Sequence, residues 1–74
     1  MKIYTVIIKD PHSDIKLVSF YLKSRAITFA KEEIKRAEKR YKVNAKIQEI
    51  ESWPYFAYIE HGTSVSVRVQ QVRQ

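Results

Sequence analysis

The stretch "RAITFAKEEIKRAEKRYK", residues 25–42, decides how the chain folds. Ile27, Ala30, Ile34, Ala37 and Tyr41 recur at spacings of three, four, three and four. At 3.6 residues per turn that puts them in one stripe along one side of an α-helix. Glu32 and Glu33 fall in its early half and Lys39, Arg40 and Lys42 at its end, the order that the helix dipole favours. Ser24, just ahead, is the expected N-cap, because its hydroxyl can accept a bond from an orphan N–H of the first turn.

On both sides of this helix the period drops to two. Residues 2–9, "KIYTVIIK", are β-branched and aromatic and predict a strand. "DPHSD" (residues 10–14) predicts a turn, with Pro11 presetting φ and the Asp and Ser side chains able to bond nearby N–H groups. Residues 15–23, "IKLVSFYLK", complete a hairpin. After the helix, "AKIQEIE" (residues 45–51) predicts a polar edge strand and "YFAYIE" (residues 55–60) an apolar one. His61, Gly62 and Thr63 predict a turn, with Gly62 able to take positive φ. "SVSVRVQ" (residues 64–70) then alternates, Val65, Val67 and Val69 against Ser64, Ser66, Arg68 and Gln70.

The order is therefore β-β-α-β-β-β. It predicts a single α+β domain over residues 1–74, with one amphipathic helix on a curved, mostly antiparallel five-stranded sheet that is open or closed into a small barrel. One helix covers one sheet face only. Yet the first strand carries Ile3 and Ile7 against Tyr4, Val6 and Ile8. The second carries Val18, Phe20 and Leu22 against Ile15, Leu17 and Tyr21. The fourth carries Tyr55, Ala57 and Ile59 against Phe56 and Tyr58. Barrel closure, self-association as a homodimer or a partner protein must therefore cover the second face.

Composition narrows the function. The chain has 74 residues, 45% hydrophobic and 30% charged, with one Gly, two Pro and no Cys. That fits one small globular core without linkers. No disulfide framework or thiolate metal site is available, and one Gly cannot build a Gly-rich phosphate loop. No apolar run approaches the ~20 residues of a membrane span. "MKIYTVIIKD" lacks the cleavage site of a secretory signal, so the expected location is cytoplasmic. Neither a cofactor nor a small-molecule substrate is implied, and no enzyme is expected.

The net charge of +6 is concentrated. From Lys23 to Lys46, nine Lys or Arg stand against Glu32, Glu33 and Glu38, which accounts for the whole excess; elsewhere five basic residues balance five acidic ones. On a helical wheel Arg25, Glu32, Lys35, Arg36 and Lys39 lie opposite the apolar stripe, with Arg40 beside them and Lys42 at the end. Such a face can lie along nucleic-acid phosphates, releasing counterions. The plain alternative is a solvated helix with internal pairs such as Glu32–Arg36 and Glu38–Lys42. Phe29, about 100° from the stripe, is expected to pack under the N-terminal hairpin rather than stand exposed beside the arginines.

The segment "ESWPYFAYIEHG" (residues 51–62) holds Trp53, Tyr55, Phe56 and Tyr58. A base-stacking platform needs Lys or Arg interleaved with the rings, and here residues 47–67 contain neither, only Glu49, Glu51 and Glu60. The aromatics therefore read as core or protein interface, with Tyr4, Tyr21, Trp53, Phe56 and Tyr58 the interface candidates. Lys16 or Arg68 from another strand would weaken that reading. His12 and His61 sit in turns; "DPHSD" is too local to converge on one metal ion or to form a catalytic triad. The opening "IYTVII", then a hairpin and a helix, resembles the start of small antitoxin-type domains, while the second half departs from it and no family is assigned.

Two functions compete. The leading expectation is a small basic regulatory module that meets DNA or RNA phosphate through its helix. Its rival is a protein-interaction module, an inhibitor or adaptor, that docks an acidic partner or self-associates through the second sheet face.

Overall fold

The computed structural model describes residues 1–60 and 62–72. Strands β1 (Lys2–Asp10) and β2 (Ser13–Phe20) form the N-terminal hairpin, followed by α1 (Lys23–Tyr41). Then come β3 (Lys46–Ile47), β4 (Tyr55–Tyr58) and β5 (Ser64–Gln71). The five strands make one antiparallel sheet in the order β2-β1-β5-β4-β3. The sheet is open, with β2 and β3 at its edges, so the barrel considered from sequence does not close.

Helix α1 packs on one face. Register sets the layer beneath it: Val6 lies between Val18 and Val67, Ile8 opposite Val65, and Val65 and Val67 opposite Ala57 and Tyr55. The helix contributes Ala26, Ala30, Ile34 and Ala37 to this core. Three of these four are alanines, whose small side chains let the backbone of α1 approach the sheet closely. Ile27 and Tyr41, the remaining stripe residues, pack at the margin of the core. Phe29 meets Phe20 of the hairpin with ring centroids 5.4 Å apart, as its position on the wheel requires.

Besides β4 ending at Tyr58 instead of Glu60, four details differ from the sequence reading. The helix begins at Lys23 after Leu22, with no side-chain cap, so Ser24 lies inside the first turn instead of capping it. Strand β2 starts and stops earlier, at Ser13 and Phe20, because the tight turn at Pro11 and His12 lets pairing resume at Asp10–Ser13. The polar strand shrinks to Lys46–Ile47, since the chain doubles back at Ile50, which accepts a bond from the Trp53 N–H at 3.0 Å. The helical pairs also differ: Arg36 meets Glu33 rather than Glu32. Glu38 turns away from Lys42 and accepts the Ala45 N–H at 2.8 Å.

Helix α1 ends in a left-handed residue, Lys42 at φ 56°, whose N–H bonds the Glu38 carbonyl. At the other turn Gly62 has φ +120°, where a side chain would be strained. Its N–H bonds Ile59, and the Ile59 N–H bonds the Thr63 carbonyl. His61, between them, lies outside the described residues.

Candidate nucleic-acid interface

The outward arc of α1 is built by exclusion. Once Ala26, Ala30, Ile34 and Ala37 face the sheet, the 100° step per residue turns Arg25, Lys35, Arg36 and Lys39 to solvent. All four are exposed, as are Arg40 and Lys42. Nineteen residues at 1.5 Å each give the face a length of roughly 28 Å. Among the described residues the only ion pair on this helix is Arg36 with Glu33, at 3.4 Å. A single contact that long contributes little. The helix therefore presents its cations to solvent instead of spending them on internal pairs.

Two lysines widen the face beyond what the wheel suggested. Lys31 stands exposed beside Lys35 at the edge of an apolar groove with Ile34, Ala45, Ile47 and Tyr55. On the opposite flank Lys16 of β2 lines a shallow groove with Arg36 and Arg40. Strand register brings Lys16 there by pairing it with Ile8 on the helix side of the sheet. A one-dimensional wheel carries no signal for it. Asp10, Asp14 and Glu33 line the same groove, so the cations dominate on the helix crest, not inside the groove.

Asp10 anchors that end of the site. Its carboxylate accepts the His12 backbone N–H at 2.9 Å and the Tyr41 hydroxyl at 3.0 and 3.3 Å. The His12 N–H bond is the main reason its pKa lies below the ordinary aspartate value, and the Tyr41 hydroxyl assists. His12 itself sits exposed in the turn. At the far edge of the sheet Lys46 and Glu60 form an exposed pair at 2.7 Å, which raises the lysine pKa and lowers that of the glutamate.

The sheet face away from α1 carries the aromatics. Trp53 meets Phe56 edge-on at 5.4 Å, and Phe56 stacks on Tyr58 at 5.7 Å. Arg68 of β5 lays its guanidinium over the Trp53 ring, 3.4 Å from the centroid. The sequence segment without cations thus receives one from the neighbouring strand. That arginine covers a tryptophan ring face, however, and the other two rings lie against each other. All three are half-buried. Of the remaining interface candidates, Tyr4 faces the helix layer, opposite Phe20 and Val69. Tyr21 is exposed just past the end of β2.

Compared with protein-family models, with curated proteins and with solved structures, the chain matches none. Among the described residues no helix is long and apolar enough to cross a membrane.

Proposed function

We propose that this chain is a small, non-enzymatic, cytoplasmic binding module that contacts nucleic-acid phosphates through the outer face of α1. Arg25, Lys35, Arg36, Lys39, Arg40 and Lys42 carry the contacts, and Lys16 and Lys31 extend them at the flanks. The observation that carries the reading is that the six cations from Arg25 to Lys42 lie on α1 and its C-cap, are exposed and, Arg36 apart, have no ion-pair partner among the described residues. A helix fixed on a sheet holds the backbone positions of its cations in a constant array, so no backbone ordering is needed on binding. Such contacts position the protein on a backbone and carry no base information, so affinity without strong sequence preference is the expected behaviour. Fluorescence anisotropy with labelled duplex and single-stranded oligonucleotides at low salt tests it. A chain carrying Lys35→Glu, Arg36→Glu, Lys39→Glu and Arg40→Glu should lose binding while keeping its circular dichroism spectrum.

A second reading, a protein-interaction module, is favoured by a separate observation. Ile15, Leu17 and Tyr21 are 60%, 65% and 71% exposed, a run of apolar surface that solvent alone does not favour. The same helix would then dock an acidic partner protein, or the second sheet face would hold one through Tyr21, Trp53, Phe56 and Tyr58.

A further inference from the structure

One end of the basic helix carries a feature that phosphate contact alone does not use. Phe29 meets Phe20 of the hairpin, yet both rings are only half-buried. Both line a shallow depression of about 300 Å³, together with Ser24, Arg25, Thr28 and Glu32. All of these except Phe20 come from α1. Steps of one, three, one and three from Ser24 to Glu32 keep them on one side of the helix, so a fixed backbone sets the shape. Clefts that hold small ligands begin at roughly 300 Å³, which leaves room for one flat ring system and little more.

The polar groups decide what enters. Ser24, Arg25, Thr28 and Glu32 are exposed, and neither Arg25 nor Glu32 has an ion-pair partner among the described residues. The Glu32 carboxylate repels a phosphate at the aromatic wall and accepts N–H groups of a base edge instead. The Ser24 and Thr28 hydroxyls can donate or accept. Arg25 continues the cation row of the helix. Arg36 stands eleven residues further on, three turns and roughly 16 Å along the axis, nearly in line with it. Aromatic walls, hydrogen-bonding groups and an adjoining arginine are what an unstacked base requires. The Trp53 cluster lacks this combination, because its arginine already lies on its own ring.

We propose that this depression receives one unpaired nucleobase against Phe20 and Phe29, with the adjoining phosphate on Arg25. Resting on the phosphate reading of α1, such a pocket adds to it a preference for single strands over duplex, since paired bases cannot reach the rings. Stacking tolerates any base, so the preference is for strandedness rather than sequence.

Abasic oligonucleotides separate the two contributions, because they keep the phosphates and lack the bases. Fluorescence anisotropy at one low salt concentration compares a labelled single strand, its abasic counterpart and a duplex of the same length. The native chain should hold the base-bearing strand roughly 5- to 150-fold more tightly than the abasic one, the range expected of one stacked base. Phe29→Leu keeps apolar volume against Phe20 but has no flat ring, and Thr28→Leu fills the depression from an exposed position. Each should remove most of that difference and leave duplex affinity unchanged, with circular dichroism showing that the variant is folded. Equal binding of both strands by a native chain that still holds duplex overturns the base pocket and leaves the phosphate reading standing. A preference for bases that survives in either folded variant does the same. Retention of no nucleic acid at all overturns both.

Discussion

Arg68 of β5 places its guanidinium over the indole of Trp53, 3.4 Å from the ring centroid, joining β5 to the segment that leads into β4. The Arg68 Nε is buried and has no hydrogen-bond partner among the described residues. A cation over an indole contributes about 0.5–2 kcal/mol, more as water is excluded. Around this pair Phe56 and Tyr58 complete a cluster that shields part of the sheet face left bare by α1.

Removing the arginine should therefore disturb the tryptophan. Arg68→Ala is expected to shift Trp53 emission to longer wavelength and to cost on the order of 1 kcal/mol by urea unfolding. Arg68→Lys should recover only part, because an ammonium cannot stack flat on the ring. Unchanged emission in Arg68→Ala would mean that the stack does not persist in solution. Titration of the native chain with single-stranded oligonucleotide should leave Trp53 emission nearly unchanged. Strong quenching would make the aromatic face a binding platform.

Tyr55 provides a contrast with its neighbours. It lies on the helix side, 9% exposed, opposite Val67, whereas Tyr58 lies on the open face. Burial, with the Glu38 carboxylate nearby, holds its hydroxyl pKa above the ordinary value. Tyr55→Ala is expected to cost roughly 3–5 kcal/mol, and Tyr58→Ala markedly less. Equal losses in thermal denaturation would contradict this division of the sheet.

Asp10 ties the β1–β2 turn to the end of α1. Its pKa is depressed on folding, so the carboxylate form is the stabilising one. That contribution is complete above the unfolded value of 3.8 and is lost as pH falls below it through the folded pKa. The melting temperature of the native chain should therefore drop on acidification below about pH 4 more steeply than that of Asp10→Asn. Parallel profiles would show that this carboxylate does not couple hairpin to helix.

The helix was legible because five apolar residues keep one period over fifteen positions, and the alternation in β5 was legible for the same reason. Their faces follow from that alone. The start of α1 was not, because Leu22 precedes it without any capping side chain and Ser24, two residues further on in the first turn, imitates a cap. The extent of β3 was not, because the Ile50–Trp53 bridge joins the end of one apparent strand pattern to a residue beyond it, which periodicity does not report. The basic arc was legible as a wheel, but Lys16 joined it only through the pairing of β2 with β1. Arg68 reached Trp53 only through the pairing of β5 with β4. Periodicity reports which side a residue faces, and register decides which neighbour it meets there.

If α1 holds nucleic-acid phosphate, its affinity must fall steeply with salt. Anisotropy of a labelled duplex should be measured from roughly 50 to 200 mM salt. With about four phosphates neutralised, log affinity should fall against log salt with a slope of roughly −3.6, a loss on the order of a hundredfold over that range. Replacing Lys39 alone by Ala should reduce the slope by about 1. A native chain that retains no duplex or single strand even at the lowest salt, or that binds with no salt dependence, would contradict the claim.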